Sequence, residues 1–265
     1  MKKIIKIIDW PILFGISQFL ITVLFSLLFL MLQKNKYPNY TINEIINSEN
    51  YALNLSNFLS KYSILIMLIM LIIFVPILLK KYQIYKKTNI LTYKNKISTI
   101  LLGTSLAIIL NIIIFRINYI INITDRYNNL NNKRLLVNIL SSGILGPIIE
   151  ELIFRGIVYN RLKEITSIKA SMIISTIIFA LFHFELSQIF YAFLMGFLFV
   201  NIYEFYGTLK ASIIAHMSAN IVITLFIYNI INFSVINQLI IYISSLVIFI
   251  ISLKKANYFK KSTKI

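Results

Sequence analysis

Eight long apolar runs, at approximately residues 7–32, 62–79, 97–123, 135–159, 168–184, 186–203, 209–228 and 235–253, constrain this chain more than any other feature. At a rise of 1.5 Å per residue, about 20 apolar residues match the roughly 30 Å hydrocarbon core of a bilayer. The chain is therefore expected to be all-α, a polytopic transmembrane helical bundle of about eight spans. Composition agrees: at 58% hydrophobic and 13% charged residues, there is too little polar surface to cover a soluble globule of 265 residues. Only a tight turn at Glu185 separates the fifth and sixth runs. No fixed-period repeat and no low-complexity linker divides the sequence, so residues 1–265 read as a single integral membrane domain.

A formal charge of +17 would suggest nucleic acid in a soluble protein. Here the lysines fall between apolar runs, where they act as topology signals and contacts for anionic membrane lipid, so nucleic acid is not expected as a partner. With the N-terminus inside, the inner segments hold eighteen Lys and Arg residues against six outside (Lys34, Lys36, Lys61, Arg126, Lys133, Arg134). An even number of spans returns the C-terminus, with its five lysines, to the same side. Both termini are thus expected in the cytoplasm. The first run follows Lys2, Lys3 and Lys6, but it is too long for a signal-peptide core and no alanine precedes Ala52, so it reads as a retained anchor. Cysteine is absent, which removes disulfides, thiolate metal sites and a cysteine nucleophile. The bias toward Ile, Lys and Asn points to an AT-rich genome and a bacterial plasma membrane.

Chemistry is densest in the fourth run, in the stretch GPIIEELIFRG from Gly146 to Gly156. Ionisable groups at membrane depth cost about 2.5 to 3.5 kcal/mol each on insertion scales, which makes them functional candidates. Pro147 lacks an N–H and clashes with the carbonyl of Gly143, so a bend or opening is expected just before the glutamates. Arg155 follows Glu151 at the i, i+4 spacing of an ion pair, leaving Glu150 as the freer base. Glu, Glu and Arg leave one excess acid without a local partner.

The chain's two histidines, His183 and His216, both fall in apolar runs, read as mid-span positions on two helices. Phe179 and His183 are four apart, as are His216 and Asn220, so each pair shares one helical face. A histidine in an apolar run is more often a core residue than a catalyst. Placing both of them in spans, beside a Glu pair on a third, is what points to one assembled site. Counted along straight spans from their cytoplasmic ends, Glu150 lies about 16 Å deep, His183 about 21 Å and His216 about 9 Å, so the three share a level only with tilt or shifted ends.

In order, Glu-Glu-x-x-x-Arg, Phe-x-x-x-His and His-x-x-x-Asn on separate helices resemble the CAAX prenyl protease and bacteriocin-processing family of intramembrane proteases, also called the Abi or self-immunity family. The resemblance runs from about residue 141 to 228, within a protease-like core at about 135–229; the first three runs match only in being hydrophobic. It implies an eight-helix fold with a catalytic cavity open toward the cytoplasmic leaflet, cleaving membrane-associated protein or peptide substrates. Carried over, Glu150 with His183 would activate water, His216 and Asn220 would donate to the oxyanion, and Glu151 and Arg155 would hold the geometry. The physics is compatible, because fixed donors at a developing negative charge are worth several kcal/mol, about 3 to 4 for one donor. His183, His216 and Glu150 are also candidate ligands for one Zn²⁺ with an open position for water, though no His-Glu-x-x-His pair is present. Two other readings stand beside the protease: a non-proteolytic bacteriocin self-immunity protein, and an ion-coupled transporter using the carboxylates and imidazoles as a proton relay.

Overall fold

The computed structural model describes residues 2–85, 91–120, 134–183, 185–227 and 235–255. Each of the eight apolar runs forms a helix, and no strand occurs among the described residues. The helices are α1 (Lys2–Lys36), α2 (Ile42–Ile46), α3 (Tyr51–Lys61), α4 (Ser63–Tyr82), α5 (Tyr93–Ile120), α6 (Leu135–Lys163), α7 (Ile168–Leu181), α8 (Leu186–Tyr206), α9 (Leu209–Ile227) and α10 (Val235–Lys255). Six of them, α1, α4, α5, α6, α8 and α9, are long and apolar enough to cross a membrane. The fifth expected span differs: α7 has 14 residues, about 21 Å of helix, which is shorter than a hydrocarbon core. The eighth, α10, has 21 residues, about 31 Å of helix at 1.5 Å per residue. The short amphipathic helix α2 between the first two spans starts with a capping box, in which the Thr41 hydroxyl accepts from the Glu44 amide and the Glu44 carboxylate accepts from the Thr41 amide.

α6 is the central helix, and every residue from 151 to 160 on it is buried. It packs against α1, α4, α7, α8 and α9. The bend or opening expected at Pro147 takes the form of a widened helix, not a break. Ile139–Leu145 is a π-helical segment, Gly146–Glu151 returns to α-helix, and Leu152–Tyr159 is again π-helical. A π-turn bonds five residues back and so widens the helix, which accommodates the proline ring and its missing N–H without breaking the helix. At the end of the second widened stretch the Asn160 amide donates to the carbonyls of Arg155 (2.9 Å) and Gly156 (3.0 Å), supplying a donor where the ladder changes register.

α9 sits on α5 through small residues. Ala211, Ala215 and Ala219 recur every four residues and are fully buried, and a Cβ on Gly103 of α5 would lie 2.2 Å from the Ala215 carbonyl oxygen. Such stripes let two backbones approach closely in lipid. Because Ser212, His216 and Asn220 each follow one of these alanines, the same register that seats α9 on α5 rotates a polar stripe by 100° toward α6. α8 ends at Gly207, whose φ of 65° is left-handed and suits only glycine without strain. This turn starts α9 at once and fixes its position.

The basic helix ends gather at one end of the bundle. Arg161 at the end of α6 donates to Asp9 at 2.6 Å and to the Lys6 carbonyl of α1. Lys163 pairs with Glu204 of α8 at 2.8 Å, Tyr85 beyond α4 donates to Glu164 at 2.7 Å, and Lys81 lies over the Trp10 ring. Lys86, Lys87 and the last lysines of the orientation count lie outside the described residues.

Candidate active site

Glu150, His183, His216 and Asn220 all line one cavity of about 650 Å³, bounded by α4, α5, α6, α8, α9 and the end of α7. Glu151 and Arg155 lie behind it. The expected ion pair is present, with Arg155 Nη1 donating to Glu151 Oε1 at 2.8 Å and the two side chains 2% and 0% exposed. The second guanidinium nitrogen donates to the Gly196 carbonyl of α8 at 3.0 Å, and the guanidinium carbon stands 4.4 Å from the Phe179 ring centroid. That contact is a cation–π interaction in a desolvated setting.

His216 joins the two glutamates. Its Nδ1 lies 2.9 Å from Glu151 Oε1, and its Nε2 lies 3.6 Å from Glu150 Oε2. The excess acid of the Glu-Glu-Arg cluster thus finds its counterpart on another helix, 65 residues away. The imidazole is stacked on Phe199 (4.4 Å between centroids, 24° between planes) and meets Phe179 edge-on at 5.9 Å. Unlike Glu151, Glu150 keeps 24% of its side chain exposed, toward the cavity.

His183 is not mid-span. α7 ends at Leu181, and His183 stands in the turn before α8, where its N–H bonds back to Ala180. Its Nδ1 lies 3.1 Å from the Phe179 carbonyl. A carbonyl only accepts, so Nδ1 carries the proton and Nε2 is left as an acceptor. Asn220 donates one amide hydrogen to the Ser142 carbonyl in the π-helical part of α6 at 2.9 Å, leaving its second hydrogen for another acceptor. His216 and Glu150, counted at different depths along the sequence, meet at 3.6 Å, and because α7 is short and α6 is widened the straight, full-length spans assumed in that count do not exist.

The zinc set is not formed. Among the described residues no three His, Asp or Glu side chains converge closely enough to hold a metal ion.

Several wall residues went unnoticed in the sequence. Asn111 of α5 and Met67 of α4 bring into the cavity two helices whose runs looked merely hydrophobic. A lone amide in an apolar run was the available signal for Asn111; nothing local marked Phe199 or Gly196. The cavity also has a direction. Its wall runs from His216 and Glu150 at mid-bundle to Asn138, Ile114, Ser187 and Thr224, all toward the end remote from the gathered lysines.

These features define a polytopic helical membrane protein with a carboxylate–imidazole site inside its bundle. Residues 132–222 match the family model described as type II CAAX prenyl endopeptidase Rce1-like. Over 82 residues the chain is 37% identical to the Bacillus subtilis (strain 168) protein named "Putative membrane peptidase YdiL", a stretch covering 31% of this chain and 34% of that protein. The site-bearing segment is therefore similar to the CAAX prenyl protease family that its three motifs resemble. The match spans about a third of the relative's length. No solved structure matches the chain.

Proposed function

We propose that this chain is an intramembrane endopeptidase that hydrolyses peptide bonds of membrane-associated substrates in a bacterial plasma membrane. The observation that carries the reading is the convergence of Glu150, His183, and the α9 pair His216 and Asn220, from three parts of the chain, on one cavity, with Glu151 and Arg155 buried behind them. The family match of residues 132–222 supports it, and the Bacillus relative supports the bacterial membrane.

In this reading Glu150, the carboxylate that reaches the cavity, accepts a proton from the attacking water. His183 presents Nε2 as a second acceptor that orients the same water, its tautomer fixed by the Phe179 carbonyl. In the same reading His216, which lies between the Glu150 and Glu151 carboxylates, takes the imidazolium form. In that form Nδ1–H donates to Glu151 and Nε2–H points to the cavity, where with Asn220 it stabilises the oxyanion of the tetrahedral intermediate. Arg155 and Glu151 are positioning residues that hold His216.

The test is a comparison of membrane-protein N-termini, by mass spectrometry, in cells expressing the wild type or Glu150→Gln at equal levels. New termini that depend on Glu150 are expected. Identical termini with a folded variant would overturn the assignment and favour immunity without cleavage.

A further inference from the structure

Two expectations drawn from the sequence conflict once the structure is known. Lysine-rich helix ends predict that their side is cytoplasmic, while the resemblance implies a cavity open toward the cytoplasmic leaflet. The structure puts the cavity mouth and the lysine-rich ends at opposite ends of the bundle.

The lysine-rich end is closed. Tyr159 donates to Glu204 at 2.9 Å, Asn160 donates to the Tyr203 hydroxyl at 2.9 Å, and Lys163 clamps Glu204. Tyr82, Leu162 and Leu209 are buried around this network. None of these residues lines the cavity. At the other end the cavity wall runs from Glu150 and His216 at mid-bundle to further polar residues at the rim, Asn138, Ser142, Ser187 and Gln188. Among the described residues the closed end carries Lys6, Lys80, Lys81, Lys94, Lys96, Arg161, Lys163, Lys169 and Lys210, against Lys34, Lys36, Lys61 and Arg134 at the open end. That ratio favours the closed end as cytoplasmic.

We infer that the site opens to the extracytoplasmic side of the membrane, so that water and substrate enter from there. The substrate class is then an exported or outer-leaflet peptide segment, and not a cytoplasmic chain end. The substrate part of this inference rests on the protease reading; the direction of opening does not.

The natural absence of cysteine makes the test direct. Single variants Ser187→Cys, at the cavity rim, and Lys210→Cys, at the closed end, are expressed in a bacterial host and treated with a membrane-impermeant maleimide. Labelling is compared between intact spheroplasts and permeabilised ones. Ser187→Cys is expected to react in intact spheroplasts, and Lys210→Cys only after permeabilisation. Protection of Ser187→Cys in intact spheroplasts, or labelling of Lys210→Cys in them, overturns the proposal. Activity plays no part in this readout, so its failure is distinct from failure of the protease reading. If termini dependent on Glu150 are found, they should map to exported or outer-facing segments; cytoplasmic sites would refute the substrate class.

Discussion

Replacing Arg155 by Met tests the energetic logic of the buried cluster. The side chain is 2% exposed and holds three partners: Glu151 at 2.8 Å, the Gly196 carbonyl at 3.0 Å and the Phe179 ring at 4.4 Å. Methionine fills much of the volume but leaves the Glu151 carboxylate fully buried without its guanidinium, with the His216 imidazole still bonded to it. Removing one member of a buried pair costs about 3–5 kcal/mol. At about 2–4 °C per kcal/mol for a chain of this size, the variant should melt about 6–20 °C below wild type. Thermal unfolding in detergent, followed by circular dichroism, measures this. The reasoning makes a second claim, that the loss comes from the unpaired charge. The double variant Glu151→Gln, Arg155→Met keeps an acceptor for His216 Nδ1 but removes the charge, and should recover most of the loss. An Arg155→Met protein melting within about 2 °C of wild type, or a double variant no more stable than the single one, would refute the argument.

Two further outcomes follow from packing and ionisation. Gly196→Ala would place a Cβ 2.7 Å from Phe179 and 3.2 Å from Arg155, the two groups that back His216; a loss of about 1–3 kcal/mol, typical of overpacking, is expected in the same melting assay. The Tyr85 hydroxyl, outside the spans, is pushed up to about 12, by burial first and then by its hydrogen bond to Glu164. A raised folded value favours the protonated form, so this contribution is present below about pH 10 and lost as pH rises toward 12. Wild type should therefore lose more stability than Tyr85→Phe between those pH values, as measured by melting across the range.

Much of the architecture was legible because it is local. Runs of about 20 apolar residues can satisfy their backbone in lipid only within themselves, so their existence as helices follows from composition. The Glu151–Arg155 pair follows from 3.6 residues per turn, and it persists although the helix widens from Leu152 onward. Local pattern was less reliable where it was extrapolated along a whole element: it put His183 inside a span where α7 has already ended.

The sequence alone determined the class of fold, because that is set by the length of each apolar run, and it singled out six candidate site residues by their spacing and by the family they resemble. Only the tertiary structure decided that His216 answers the unpaired carboxylate, that Asn111 and Met67 wall the cavity, and which end of the bundle is open. Those outcomes depend on the faces that helices present to one another. Close approaches such as Gly103 against Ala215 and Arg155 against Gly196 set those faces, between residues far apart in the chain.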